Sequence, residues 1–171
     1  MRLFFALWPT AAVARSIWEV GSAIQRETGG RLTRLDSIHM TLAFLGEVSA
    51  NRLDDAIGVG RRVEATAFTF TINWLRYWEH NRLVWVGSSA EPVALLALVQ
   101  PLQDCLKAAR FTIETRPFKA HTTLIRSARM APLEQDVRPI EWRVNEFALV
   151  HADMATGKSP YRTLERFPLR D

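Results

Sequence analysis

The sequence predicts an α+β fold in which two lobes face each other across a cleft. Runs typical of strands alternate with runs typical of helices, and no low-complexity linker divides the chain. In addition, a His-x-Thr-Leu pattern occurs twice on strand-like segments, at His39 and at His121, about half the chain apart. This pairing favours two equivalent lobes. Because the chain has 171 residues, we expect residues 1–171 to form a single domain.

Each predicted element has a local signal. Apolar or alternating runs predict strands near residues 2–8, 38–46, 68–78, 82–88, 120–126, 141–152 and 161–169. Helical spacing of apolar residues predicts helices near residues 10–27, 49–65 and 91–109, the last with Pro92 in its first turn. Thr10 and Ser49 are expected to be helix N-caps, and Gly29 is expected to end the first helix. The proline-containing stretch 130–139 is expected to be a loop.

Composition narrows the class of protein. Hydrophobic residues make up 48% of the chain and charged residues 23%, which indicates a globular protein with a substantial core. Cys105 is the single cysteine, so it cannot form an internal disulfide, and one cysteine with four scattered histidines is no zinc framework. We therefore expect a cytoplasmic location.

The net charge is +4, and nearly all of the positive charge is arginine, because lysine occurs only at positions 107, 119 and 158. Guanidinium groups suit phosphate contacts, so an anionic partner fits, although genome composition explains the arginine content equally well.

The apolar start, "RLFFALWP", is interpreted as a buried strand rather than a signal peptide because Pro9 interrupts it after a single basic residue. No apolar run approaches the roughly 18–20 residues of a membrane span.

The two His-x-Thr segments place polar side chains on an otherwise buried strand. Successive side chains of a strand point to opposite faces, so His39 and Thr41 share one face while Met40, Leu42 and Phe44 share the other. The second segment repeats this arrangement with His121 and Thr123 on one face and Thr122 and Leu124 on the other. If the two strands are equivalent, their polar side chains converge on one cleft.

Such a set of side chains fits displacement at phosphorus. Imidazole has an unperturbed pKa near 6.5, so one histidine can accept a proton while the other donates one. The hydroxyls of Thr41 and Thr123 can donate to an oxyanion, and Arg126 can bind phosphate oxygens. Arg126 lies five residues after His121, so it reaches the cleft only if the strand bends or bulges near Ile125.

The remaining histidines and several aromatic residues bear on the same site. His80 and His151 lack the His-x-Thr context, and we leave both out of catalysis. A metal site is not expected, because no nearby carboxylate or thiol completes a ligand set with the two histidines. An aromatic side chain near the cleft could stack on a base, and Phe5 and Trp8 on the first strand are the candidates.

With these motifs, the sequence resembles the two-histidine phosphoesterase superfamily, and more narrowly the bacterial RNA 2′,3′-cyclic phosphodiesterases, also called 2′-5′ RNA ligases. The segments that carry the resemblance are "RLFFAL", "IHMTLAFLGEV", "RLVWVG", "RPFKAHTTLIR" and "YRTLERFPL". The family often has a proline before the second histidine, where this chain has Ala120. The resemblance implies two pseudo-symmetric lobes, each an antiparallel sheet with helices packed outside, around a central catalytic cleft.

The resemblance also implies an activity: hydrolysis of a 2′,3′-cyclic phosphate to a 2′-phosphate without metal or cofactor. His121 would be the general base, His39 the general acid, and Thr41, Thr123 and Arg126 the phosphate ligands. The partner would be RNA with a 2′,3′-cyclic phosphate end, and reversal of the reaction would make a 2′-5′ bond. Two alternatives stay open: an enzyme acting on a small cyclic phosphate of a nucleotide or ADP-ribose derivative, and a nucleotide- or RNA-binding module without turnover. We expect a monomer that does not bind membranes.

Overall fold

A computed structural model describes residues 1–153 and 160–171. In chain order, its helices and strands are β1 (Arg2–Leu7), α1 (Ala11–Thr28), β2 (Arg31–Leu32), β3 (Met40–Glu47), α2 (Leu53–Arg62), β4 (Phe68–Trp78), β5 (Leu83–Gly87), α3 (Val93–Ala108), β6 (Thr122–Arg126), β7 (Gln135–Val144), β8 (Glu146–Ala152) and β9 (Tyr161–Pro168). Within the described residues, no helix has both the length and the apolar character needed to cross a membrane.

The strands form two sheets, which confirms the predicted α+β class. One sheet has the order β3-β1-β8-β9 and the other the order β2-β6-β5-β4-β7, and neighbouring strands within each sheet are antiparallel. The lobes are not consecutive halves of the chain, because strands from both ends build the four-stranded sheet. β3 and β6, which follow the two histidines, belong to different sheets and lie against each other.

β1 is one of the two inner strands of the four-stranded sheet, and both faces of its continuous apolar sequence are buried. Leu3, Phe5 and Leu7 lie in the main core, while Phe4 and Ala6 lie in a smaller cluster on the opposite face. Phe5 is fully buried and its ring contacts those of Phe147 and Phe167. The base-stacking role expected for Phe5 is therefore wrong, because no ligand can reach its ring.

The first helix begins and ends as predicted. The Val13 amide donates to the Thr10 hydroxyl at 3.4 Å, and at the other end the Gly29 amide donates to the Gln25 carbonyl. Gly29 has a φ of 63°, a left-handed conformation that costs glycine little.

The second and third helices differ from the predictions at their ends. The Ser49 hydroxyl donates to the Asn51 side chain at 2.6 Å instead of capping a helix, and a 3-10 turn precedes α2. Because that turn takes up residues 50–52, α2 runs only from Leu53 to Arg62. Pro92 precedes the first turn of α3 rather than lying within it, and Pro101 is inside the helix.

The prediction of a loop at 130–139 is wrong from residue 135 onward, where β7 begins. β7 is an edge strand of its sheet and, among the named strands, pairs only with β4. An edge strand tolerates Pro139, which has no N–H to donate, because no further strand needs that donor on the open side. The ladder with β4 also shifts register near Pro139, between the pairs of Ile72 and Trp74. The apolar run 141–152, predicted as one strand, divides at Asn145 into β7 and β8, which belong to different sheets.

The contact between α2 and β9 provides a test of the packing outside the four-stranded sheet. A Cβ at Gly60 would lie under 3.0 Å from the ring of Phe167, which is itself buried. We expect Gly60→Ala to lower the free energy of unfolding by about 1–3 kcal/mol, because the buried ring has little room to move. Urea unfolding measures this change.

Gly58→Ala is the matched control on the same helix. A Cβ there would meet only the end of the Arg62 side chain, at 3.3 Å, so it should be neutral or stabilise the helix by up to about 1 kcal/mol. Equal destabilisation by both substitutions would contradict this account of the contact.

Candidate active site

His39 directly precedes β3 and lies two residues after a 3-10 turn at Leu35–Ser37. Its Nδ1 lies 2.8 Å from the carbonyl oxygen of Ser37. A carbonyl oxygen can only accept, so Nδ1 carries the proton and donates it. Nε2 is then the ring nitrogen available to the cleft, without a proton as long as the imidazole is neutral.

Aromatic rings surround the His39 imidazole. Trp8 stacks on it with a centroid distance of 4.9 Å and an interplanar angle of 7°, while Tyr161 meets it edge-on at 5.0 Å and Phe4 lies 5.3 Å away. This burial lowers the pKa of His39 to about 4, against the opposing effect of the Ser37 carbonyl; the nearby charges of Arg126 and His121 lower the pKa further.

His121 has the same geometry and directly precedes β6. Its Nδ1 lies 2.8 Å from the carbonyl of Lys119, again two residues earlier in the chain, so Nε2 is again the available nitrogen. The rings of Trp78 and Trp85 approach the imidazole edge-on at 4.7 and 6.0 Å. Burial lowers the pKa of His121; the Lys119 carbonyl opposes this effect and the Arg126 charge adds to it.

The two His-x-Thr strands share a backbone irregularity. Phe5 and Ala6 of β1 pair with Ala43 and Thr41, which leaves Leu42 as an extra residue in β3. In the other sheet, Val84 and Trp85 of β5 pair with Ile125 and Thr123, which leaves Leu124 as an extra residue in β6. Each strand therefore has a bulge immediately after its threonine.

The bulges have the same consequence in both lobes. Residues 40–44 and 122–126 have the same order of burial: buried, half-buried, buried, buried, exposed. An extra residue reverses the alternation, so the residue five positions after each histidine returns to the histidine's face. These residues are Phe44 and Arg126. The bulge that Arg126 required lies at Leu124, next to the expected position.

The predicted position of Phe44 is wrong. It was expected on the buried face with Met40 and Leu42, but it is 42% exposed and lines the cleft. Arg2 covers its ring at 5.1 Å from the centroid. A bulge after Thr41, like the one that Arg126 requires in the second strand, places Phe44 on the cleft face.

The predicted polar residues meet in a small cavity of about 90 Å³. Its lining consists of Thr33, Ser37, His39, Thr41, His121, Thr123, Arg126 and Tyr161. All five predicted polar site residues are therefore together. Thr33, Ser37 and Tyr161 were missed, because nothing in their local sequence marks them as part of a site.

A larger cavity of about 520 Å³ adjoins the small one and shares Thr41, His121, Thr123 and Arg126 with it. Phe44, Trp78 and Phe118 are among its lining residues. Trp8 lines neither cavity, and the His39 imidazole covers one face of its ring. The structure thus gives Trp8 a contact with His39 in place of the base-stacking position expected for it.

The arrangement of the small cavity suits a tetrahedral phosphorus group. Two imidazoles provide proton carriers, two threonine hydroxyls provide neutral donors, and one guanidinium provides positive charge. Across the residues that the structure describes, no group of three or more His, Cys, Asp or Glu side chains could hold a metal ion.

Comparison with known proteins places this site in a family. Residues 7–85 match the family model described as LigT like Phosphoesterase. The RNA 2′,3′-cyclic phosphodiesterase of Escherichia coli is 31% identical to the chain over 98% of this chain and 96% of the relative. The chain belongs to the LigT-like phosphoesterase family. Another member, the RNA 2′,3′-cyclic phosphodiesterase of Thermus thermophilus, is 30% identical over 99% of this chain and 91% of the relative.

Solved LigT structures have the same architecture. E. coli LigT complexed with 3′-AMP superposes with a TM-score of 0.88 at 31% identity, covering 99% of this chain and 98% of that one. The E. coli protein complexed with phosphate has a TM-score of 0.84 at 32% identity and the same coverage. The two-sheet arrangement described above is therefore the LigT-like fold.

The buried histidine predicts a pH dependence of stability in this LigT-like protein. The pKa of His39 is about 4 in the folded chain and near 6.5 when unfolded, so the unfolded chain binds the proton first as the pH falls. Stability present above pH 6.5 is lost between pH 6.5 and 4, by about 3 kcal/mol in total. Urea unfolding of the wild type and His39→Gln at pH 7.5 and 4.5 measures the effect.

Carboxylates also titrate in this pH range, so the difference between the two proteins is the informative quantity. We expect the wild type to lose more stability than His39→Gln between pH 7.5 and 4.5, because glutamine does not titrate. Parallel losses in both proteins would show that His39 is not held neutral by its surroundings.

Proposed function

We propose that this protein is an RNA 2′,3′-cyclic phosphodiesterase that converts the cyclic end to a 2′-phosphate. The observation that carries the proposal is the small cavity, where two histidines with available Nε2 atoms face two threonines and an arginine. The names of the E. coli and T. thermophilus relatives support the same activity. The E. coli LigT complexes with 3′-AMP and with phosphate support a nucleotide phosphate as the ligand.

In the proposed reaction, His121 is the general base. Its Nε2 accepts a proton from water while the water oxygen forms a bond to phosphorus. The bond from phosphorus to the 3′ oxygen breaks, and Nε2 of His39 donates a proton to that oxygen. The product has a 2′-phosphate and a free 3′-hydroxyl. Thr41, Thr123 and Arg126 hold the phosphate oxygens on which negative charge is greatest.

The lowered pKa values fit these roles in different ways. A neutral His121 at pH 7 is ready to accept a proton, since burial disfavours its charged form. His39 must carry a second proton to act as an acid, and an anionic phosphate beside it favours the imidazolium. An imidazolium held in a buried, aromatic environment releases its proton readily to the departing oxygen.

The cavity sizes determine where the rest of the nucleotide lies. A volume of about 90 Å³ accommodates a phosphate group but no nucleoside. Ribose and base therefore extend into the adjoining cavity of about 520 Å³, where Phe44 and Trp78 provide aromatic surface for a base. In this proposal, Phe44 takes the role that the sequence suggested for Phe5 and Trp8.

The same residues can run the reaction in reverse. A 5′-hydroxyl in place of water, with acid and base exchanged, would give a 2′-5′ bond. Water at about 55 M favours hydrolysis unless a second RNA end is bound.

We further propose that the protein acts as a cytoplasmic monomer, for which the free thiol of Cys105 is the supporting observation on location.

Incubation with an oligonucleotide that ends in a 2′,3′-cyclic phosphate, in the presence of EDTA, tests the proposal. We expect the wild type to convert the cyclic end to a 2′-phosphate. His39→Ala and His121→Ala should each lower kcat by at least about 10²-fold, because each loses one proton-transfer step. Separation of the products by charge, with a 2′-phosphate standard, measures both the rate and the position of the phosphate.

His151→Gln is the matched control, because His151 lies on β8 and lines neither cavity. It should retain wild-type turnover. Tight binding of the oligonucleotide without turnover by the wild type would refute the enzymatic proposal in favour of a binding module. Turnover that EDTA abolishes would refute the metal-free mechanism.

A further inference from the structure

Lysine is scarce in this protein, and two of its three lysines lie beside the cleft. Lys119 lines the larger cavity, and Lys107 lines an adjoining groove of about 570 Å³. This groove runs between α3 and the segment at residues 113–118, and we call it the α3 groove. Its lining combines polar side chains, among them Gln100 and Lys107, with the apolar Leu96 and Val99.

The α3 groove is continuous with the cavity proposed to hold the terminal nucleoside. Both are lined by Gln103 of α3 and by Ile113, Glu114, Arg116 and Phe118 of the following segment. An extended ligand that leaves the larger cavity at these residues enters the groove directly. The path therefore starts at the two histidines, passes the aromatic surface of Phe44 and continues along α3.

The charge along this path suits a polyanion. Its lysine and arginine side chains are Arg126, Lys119 and Arg116 in the larger cavity and Lys107 in the groove, and among the described residues that line it Glu114 alone is acidic. The whole chain is much closer to balance, with 22 lysines and arginines against 18 aspartates and glutamates. Glu114 is itself paired with Arg116 at 2.7 Å, so Lys107 and Lys119 are available to phosphates in addition to Arg126 at the small cavity.

We propose that the α3 groove binds the nucleotide on the 5′ side of the terminal one, with Lys107 contacting a backbone phosphate. The preferred substrate is then an oligonucleotide, and a mononucleotide uses only part of the path. This inference rests on the proposed function, because it takes the phosphate at the histidines as the starting point. It adds a second recognition site that acts on binding and leaves the chemistry to the small cavity.

A phosphate contact has two measurable effects. It raises kcat/KM for substrates long enough to make it, and it adds to the salt dependence of binding, by about 0.7 in the log–log slope for each phosphate contacted on a single strand. A mononucleotide that ends at the larger cavity gains neither effect from Lys107.

The experiment compares adenosine 2′,3′-cyclic monophosphate with a tetranucleotide ending in the same cyclic nucleotide, for wild type, Lys107→Ala and Lys107→Glu. We expect the wild type to favour the tetranucleotide by at least tenfold in kcat/KM at about 50 mM salt. Lys107→Glu should lower kcat/KM for the tetranucleotide about tenfold and leave the mononucleotide within twofold. Lys107→Ala should have a smaller effect and reduce the salt slope by about 0.7.

Arg26→Glu is the charge-matched control, because Arg26 is an exposed residue of α1 that lines neither the cavities nor the groove. It should leave both substrates unchanged. A wild type with no preference for the longer substrate overturns the inference, and so does equal loss on both substrates in Lys107→Glu. Failure of the wild type to hydrolyse either substrate overturns the proposed function instead, so the two failures are distinguishable.

Discussion

One extra residue in each of two strands determines the geometry of the cleft. A regular strand would turn the fifth residue after each histidine away from it, and the bulges at Leu42 and Leu124 turn that residue back. The same irregularity presents a different side chain in each lobe. In the five-stranded sheet it presents the guanidinium of Arg126, and in the four-stranded sheet it presents the ring of Phe44. A similar backbone irregularity thus supports an asymmetric site, with positive charge from one lobe and aromatic surface from the other.

The second constraint is the hydrogen bond from each imidazole to a carbonyl two residues earlier. Both bonds are 2.8 Å long, and both fix the ring so that Nδ1 donates to the protein. Burial then makes the charged form of each ring unfavourable, most strongly at His39 under Trp8. Burial therefore favours two neutral imidazoles, and in the proposed mechanism an anionic ligand favours protonation of His39. On this account, the site changes its protonation when a phosphate enters.

Much of the fold and the polar site follows from the sequence. Continuous apolar runs and alternation located most strands, and Thr10 and Gly29 fixed the ends of the first helix, because these signals are local. The repeated His-x-Thr pattern, with Arg126 after its second copy, identified five of the eight described residues that line the small cavity.

The remaining features depend on neighbours that are distant in the chain. Phe5 is buried because β1 is an inner strand of its sheet, and no local pattern gives the order of strands. Pro139 is tolerated in β7 because the strand is at the edge, which is equally a property of the sheet. Tyr161 reaches the small cavity because β9 belongs to the same sheet as β3, the strand that follows His39. Phe44 is the exception. The bulge that Arg126 requires in the second His-x-Thr strand, applied to the first strand, would have placed Phe44 on the cleft face.

The central claim is that His39 and His121, the two imidazoles of the small cavity, are both held as Nδ1–H tautomers with Nε2 available to that cavity. Long-range ¹⁵N–¹H correlation NMR of the uniformly labelled protein at pH 7.5 reports the protonation of each ring nitrogen directly. Spectra of His39→Gln and His121→Gln assign two of the four histidines. The account predicts a protonated Nδ1 and an unprotonated Nε2 for both rings. A protonated Nε2 on either ring at this pH, as the opposite tautomer or as imidazolium, would contradict it.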